Sequence, residues 1–285
     1  MRLLKYSQER FVTKVVFHQA TLGQLEQYAK KLPGSLIITG KEGVGLTAAA
    51  TYLSRQSKAL VSTVMPEKDD KVDILKGTIT IDSIRRLYET TKTKQPNGRI
   101  IIIDYAETMG KPAQNAFLKL LEEPGEGTHF ILLTHTPSVL LPTILSRVQR
   151  LDMRPVTLEQ SNELLDSLKV RDDRLRSQLL FIATGLPAEL TRLATDNEYF
   201  EQRISVIKDA REYVTGTAYA RLLVAKKYKD SRTQALLLIS DAMRLLLNTL
   251  VQGGSESSIT TIAALETMYG RIQANGNIRL QLAAL

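Results

Sequence analysis

Cysteine is absent from all 285 residues. That excludes disulfides, thiolate nucleophiles and cysteine-based zinc sites, and it fits a reducing cytosol. No apolar run approaches the roughly 18 residues that a membrane helix needs. The amino-terminal stretch MRLLKYSQERFVTKVVFHQA carries charge through every segment that could serve as a signal-peptide core. A cytoplasmic, soluble chain is therefore expected. Histidine is scarce: His18, His129 and His135 stand apart, form no ligand cluster and have no Ser-His-Asp companion, so structural or surface roles are expected for each. The Tyr and Phe residues make no stacking platform, and there is neither an internal repeat nor a low-complexity segment.

What is present is the composition of an ordinary globular protein, 43% hydrophobic and 24% charged. The length is enough for a sizeable core and for more than one domain. A formal charge of +8 raises the local concentration of anionic partners, nucleic acid among them. The Lys and Arg residues are scattered, however, and not gathered with interleaved aromatics, so the charge by itself reads as a solvated basic surface.

Short runs rich in Ile, Leu and Val lie at Ser35 to Thr39, Leu60 to Val64, Arg99 to Ile103 and Phe130 to Leu133. They do not alternate with polar residues, which predicts strands covered on both faces. Helical patterns fall between them, at Thr47 to Arg55, Ile81 to Thr91 and Pro112 to Glu123. In the last, Ala113, Ala116, Phe117, Leu120 and Leu121 follow the spacing of a buried face, with Pro112 at its first turn and Pro124-Gly125 beyond its end. Strands alternating with helices predict an α/β fold with a parallel sheet whose ligands sit at the strands' carboxyl ends. After Arg154-Pro155 the chain turns helical, starting with the capping-box spacing Thr157-Leu158-Glu159-Gln160. Three short helices are expected before residue 198, Gly185-Leu186-Pro187 separating the second from the third. A longer helical block follows from about Glu201, interrupted by the turn Gly253-Gly254-Ser255. The segment from Ala235 to Leu250 is apolar around most of its circumference, which predicts burial on several sides, either as plain core or as core plus a subunit interface.

Two segments carry chemistry. Leu36-Ile37-Ile38-Thr39 runs into Gly40-Lys41-Glu42-Gly43-Val44-Gly45-Leu46-Thr47 and then a helix. Strand, glycine loop and helix start are the context of a phosphate-binding loop, since glycines let backbone N–H groups turn inward toward an anion. Gly40, Gly43, Gly45 and Thr47 fit G-x-x-x-x-G-K-[ST], but Leu46 stands where a lysine would reach the β- and γ-phosphates. A charge-assisted contact of that kind is worth roughly 1.5–3 kcal/mol, so its loss weakens triphosphate binding by about tenfold to a hundredfold. The second segment, Ile100-Ile101-Ile102-Ile103-Asp104, is an apolar strand ending in a carboxylate, the Walker B arrangement that helps hold magnesium. The next residue is Tyr105, and a phenol that titrates near pH ~10 is no general base at neutral pH.

The segments ITIDSIRRL (Ile79 to Leu87), IIIDYAETM (Ile101 to Met109), QNAFLKLLEEPGEGTHFILLTH (Gln114 to His135) and LLPTILSRVQRL (Leu140 to Leu151) together resemble the clamp-loader branch of the AAA+ family, its delta-prime members above all. The ending NGNIRLQLAAL, Asn275 to Leu285, is similar to the last helix of that family's collar. The resemblance implies a RecA-like AAA+ module with a degenerate P-loop over residues 1–153, a three-helix lid over 154–200 and an all-α collar for oligomerisation over 201–285. It implies a clamp-loader ATPase (gamma/tau) and a delta subunit as partners in a five-membered ring, with the sliding clamp and primer-template DNA as what the ring works on. It also makes Arg147, in Ser146-Arg147-Val148, an arginine finger acting on a neighbour's ATP, and Thr134 the sensor-1 position.

Departures from the family pattern bear on activity. The family's four-cysteine zinc module has no counterpart between Tyr52 and Gly77, and the sensor-2 arginine position falls on Ala188. Lysine, glutamate and arginine are missing together, so the chain is expected to require no cofactor and to hydrolyse no ATP of its own, with residual ATP or ADP binding left open at Gly40, Gly43, Gly45, Thr47, Asp104 and Thr134. Two alternatives remain at this point: an active ATPase of the same fold with Lys41 substituting for the missing lysine, and a basic DNA-binding AAA+ relative outside replication.

Overall fold

The computed structural model describes residues 15–74, 76–251, 253 and 256–285. The first fourteen residues of the amino-terminal stretch, and Gly254 and Ser255 of the expected turn, lie outside the described residues. The chain divides into two compact units, Met1–Thr195 and Asp196–Leu285.

The first unit opens with α1 (Gln19–Lys30), then β1 (Ser35–Thr39), α2 (Leu46–Arg55), β2 (Leu60–Val64) and a small hairpin of β3 (Glu67–Lys68) and β4 (Lys71–Val72). It continues through α3 (Ile81–Thr91), β5 (Arg99–Ile103), α4 (Lys111–Glu122), β6 (Thr128–Thr134), α5 (Pro142–Leu145) and β7 (Gln149–Asp152). Five strands form a parallel sheet in the order β2-β5-β6-β1-β7. Alternate residues of the same strands feed two cores. Leu36, Ile38, Ile100, Ile102, Ile131 and Leu133 meet α1 and α2 on one face. Ile37, Ile101, Ile103, Phe130 and Leu132 meet α3 and α4 on the other. Unbroken aliphatic runs are what burial on both faces demands.

Strands β1, β2 and β5 and helix α3 have the bounds read from the sequence, while α2 begins one residue earlier, at Leu46. The pattern read as Pro112 to Glu123 is Lys111–Glu122, and β6 extends beyond Phe130 to Leu133 at both ends. The β3–β4 hairpin was not foreseen; it turns on Asp69 and Asp70, both with left-handed φ (51° and 58°).

Three short helices close this unit, α6 (Leu158–Ser167), α7 (Asp173–Ala183) and α8 (Pro187–Thr195). The capping box is formed, the Thr157 hydroxyl accepting from the Gln160 amide at 3.1 Å while the Gln160 side chain accepts from the Thr157 amide at 3.0 Å. Gly185, with φ +81°, lets the chain turn tightly against Pro155 before α8.

The second unit consists of α9 (Asn197–Thr215), α10 (Ala218–Tyr228), α11 (Arg232–Val251), α12 (Glu256–Gln273) and α13 (Ile278–Ala283). Helix α9 runs through the expected 200/201 boundary. The core gathers Val206, Tyr213, Leu238, Ile239, Leu265 and Ile272, and the Tyr213 hydroxyl donates to the carbonyl of Leu282 at 2.7 Å. A buried ion pair joins Arg203 of α9 to Asp241 of α11 at 2.8 and 3.3 Å.

Helix α11 corrects the expectation of burial on several sides. Its inner stripe of Ala235, Leu238, Ile239 and Ala242 is covered, but Leu247 is 51% and Val251 88% exposed. Leu236, Leu237, Leu245 and Leu246 are partly buried against the same core. By length and composition alone α11 could cross a membrane, yet its inner stripe also holds Asp241, paired with Arg203.

Candidate functional site

The carboxyl ends of β1, β5 and β6 meet, and each hands the chain to a polar loop, as expected where a parallel sheet binds its ligands. Gly40 leaves β1, and its carbonyl bonds to Nδ1 of His135 at 2.8 Å. A carbonyl only accepts, so that nitrogen carries the proton. A side chain at Gly40 would run into Val44 Cγ1 at 2.8 Å and Met153 Cβ at 2.9 Å.

Gly43 and Gly45 both take left-handed φ, +83° and +100°. The Gly43 carbonyl accepts from the amides of Ala188 at 2.9 Å and Glu189 at 3.1 Å, which open α8. A Cβ on Gly43 would lie 2.7 Å from that of Glu189. These amides, at the end of a helix that ordinarily attracts anions, are therefore spent on the protein's own backbone. Leu46 is 5% exposed and belongs to the core that Ala49, Ala50 and Leu53 build, so the phosphate-gripping position has become a packing position. Lys41 is exposed.

Thr47 hydrogen-bonds Asp104 through its side chain. Asp104 is buried, and burial pushes its carboxyl up to about 6. The Tyr105 amide (3.0 Å to Oδ1), the nearby His135 and Thr47 work against that rise, while Glu107 adds to it. Tyr105 itself has φ 54°, a costly backbone region for a bulky residue, and its ring stands edge-on to His135 at 6.2 Å. Thr134 is 1% exposed, pairs in register with Thr39, and its hydroxyl accepts from the Thr136 amide at 3.1 Å. The other histidines are structural too: His18 caps α1, and His129 bonds the Pro33 carbonyl at 2.9 Å.

Gly40, Gly43, Gly45, Thr47, Asp104 and Thr134 thus share one end of the sheet. Arg147 is placed differently, two residues past the end of α5, with its guanidinium 3.0 Å from a carboxylate oxygen of Glu122 and donating to the Thr143 carbonyl at 3.1 Å. It stays 41% exposed. Sequence reasoning missed three participants: His135 as clamp on Gly40, Glu189 as neighbour of Gly43, and Glu122 as partner of Arg147. Only Glu122 left a signal, as part of the Leu120-Leu121-Glu122-Glu123-Pro124 run.

Residues 18–157 match the family model described as "DNA polymerase III, delta subunit". The chain is 29% identical over 198 residues to DNA polymerase III subunit delta' of Bacillus subtilis, covering 62% of this chain and 59% of that protein. It is 34% identical over 137 residues to the delta' subunit of Pseudomonas aeruginosa, covering 47% of this chain and 42% of that protein. The chain thus spans about half the length of these curated relatives. A crystal structure of a DNA polymerase III gamma subunit-related protein from Thermotoga maritima superposes with a TM-score of 0.54, at 22% identity, over 92% of this chain and 96% of that one. The expected AAA+ fold, followed in sequence by a helical unit, is the fold of this chain.

Proposed function

We propose, on the match of residues 18–157 to the family model described as "DNA polymerase III, delta subunit", that the chain works as a delta-prime-like subunit of a bacterial clamp loader, in the cytoplasm, and hydrolyses no ATP itself. It joins the loader ATPase (gamma/tau) and delta subunits in a ring and supplies Arg147 to ATP held by a neighbour. The sliding clamp and primer-template DNA are met through that ring. The chain needs neither nucleotide nor zinc of its own.

The observation that carries this reading is the contrast at one sheet end and one helix end. Leu46 is buried in the core where a phosphate-gripping lysine would stand, while Arg147 is held at the surface with its guanidinium accessible. A guanidinium delivered to a γ-phosphate can stabilise charge spreading over its oxygens, an effect of about 10³ to 10⁵ in rate. For the helical unit, the collar reading is supported by the exposed apolar residues Leu247 and Val251 near the carboxyl end of α11. Beside it lies an open groove of about 500 Å³ lined by Met243, Leu247, Ile262 and Tyr269 among others.

The experiment is to mix the purified chain with its cognate loader ATPase and delta subunits and follow complex formation by size exclusion, then measure steady-state ATP turnover by the chain alone. Co-elution with no turnover is expected. Failure to enter the complex, or turnover of about 1 per second, within the range of working enzymes, that disappears in Asp104→Asn, would refute the proposal.

A further inference from the structure

The carboxyl end of α4 carries charge of the wrong sign. Glu122 is its last residue and Glu123 its cap, with Lys119 the basic residue of the last turn. The carbonyls at a helix carboxyl terminus already concentrate negative potential, so carboxylates there are unfavourable unless a cation stands close. Arg147 is that cation, 3.0 Å from Glu122 Oε1.

The frame around the pair is rigid while the pair itself is loose. Leu118 and Leu121 of α4 pack into the same core as Leu145 and Val148, which flank Arg147 in sequence. The Arg147 amide donates to Ile144 at 2.9 Å and the Ser146 hydroxyl to Thr143 at 3.1 Å, which fixes the backbone that carries the guanidinium. Without Glu122 the side chain would have, among the described residues, the Thr143 carbonyl alone to hold its tip. The ion pair is exposed on both sides, 41% and 54%, and exposed pairs are weak and easily exchanged. One carboxylate charge can therefore be displaced by the several charges of a polyphosphate, while in its absence it keeps a flexible side chain near one orientation.

We propose that Glu122 is the positioning residue for Arg147: it holds the guanidinium presented at the surface and yields it to the triphosphate on the neighbouring subunit. This rests on the reading of Arg147 given above. The balance of charge is simple, since no bond forms or breaks at Glu122; Arg147 exchanges one anionic partner for another.

The test uses the reconstituted loader, with this chain as wild type, Glu122→Gln, Glu122→Asp, Arg147→Ala or the double variant Glu122→Gln/Arg147→Ala at matched occupancy, and reads clamp- and DNA-stimulated ATPase. Glu122→Gln should lower kcat roughly two- to fivefold, the factor an exposed ion pair supports, and leave KM for ATP unchanged. The deficit should shrink as salt rises, because screening weakens the wild-type pair as well. Glu122→Asp keeps the charge and should fall between the two. The double variant should be no slower than Arg147→Ala alone. Melting of the isolated chains should be equal, separating positioning from damage to the fold. If Arg147→Ala has no effect, the arginine-finger reading fails. If Arg147→Ala slows the loader but Glu122→Gln matches or exceeds wild type, or slows it equally in the Arg147→Ala background, the finger stands and the role of Glu122 is overturned.

Discussion

At the phosphate loop, one side chain and two carbonyls are engaged with the protein itself: Leu46 packs into the core, the Gly43 carbonyl accepts from the amides of Ala188 and Glu189, and the Gly40 carbonyl accepts from His135. At the end of α5 the opposite holds. Arg147 is charged, reaches solvent, and is tethered by an exchangeable exposed pair. On the proposed reading, a chain relieved of binding its own ligand gains stability by filling that site, whereas a residue that must reach another subunit cannot be buried. If that reading holds, the inward-facing half of a nucleotide site has become core while an outward-facing arginine persists.

If the loop is now core, restoring its lysine should damage the protein and leave it without turnover. Leu46→Lys places an ammonium where aliphatic groups pack, at a cost of about 2–4 kcal/mol. Chemical denaturation measures the loss and an ATPase assay the expected silence. Regained turnover at undiminished stability would break the comparison.

Gly43→Ala sharpens it from the other side. A left-handed φ and a Cβ that would lie 2.7 Å from Glu189 Cβ combine backbone strain with overpacking, about 2–3 kcal/mol together. The second change Glu189→Gly should restore part of that, since it removes the colliding atom. Equal melting temperatures for wild type and Gly43→Ala would show that α8 does not grip the loop.

The smallest effect concerns Asp104. Burial raises its carboxyl from 3.8 to about 6, so the folded state holds this proton more tightly than the unfolded chain does. The stability it confers is complete below pH 3.8 and is lost as pH rises through about 6. Asp104→Asn cannot ionise and should therefore be more stable than wild type near pH ~8, by about 1–3 kcal/mol, with the gap closing near pH ~4. Urea denaturation of both proteins across that range checks it. A gap that is constant with pH, or that widens toward acid, contradicts the assignment.

Much of the fold was legible because its strands are unbroken aliphatic runs, a pattern only two-sided burial explains; Ile100 to Ile103 is the clearest. Strand β7 was not, since Gln149-Arg150-Leu151-Asp152 buries Leu151 alone at the sheet edge and so shows no apolar run. The β3–β4 hairpin escaped because its turn uses Asp69 and Asp70 in conformations usually signalled by Asn-Gly. On α11 the sequence showed apolar residues all round but not which of them neighbours would cover. In the candidate site, Gly40, Gly43, Gly45, Thr47 and Asp104 were readable from local motifs, and Thr134 from the family resemblance. The packing of Glu189 on Gly43 and the pairing of Glu122 with Arg147 were not, because each joins segments far apart in sequence through contacts that have no sequence period.

On the proposed reading, the loop side of this chain is silent and the Arg147 side acts. That reading is tested most directly by stimulated ATPase of the reconstituted loader carrying either Asp104→Asn or Arg147→Ala in this chain, at matched occupancy. The account predicts a rate indistinguishable from wild type for Asp104→Asn and the loss of one ATP site's contribution for Arg147→Ala. A fall with Asp104→Asn together with an unchanged rate for Arg147→Ala would contradict it.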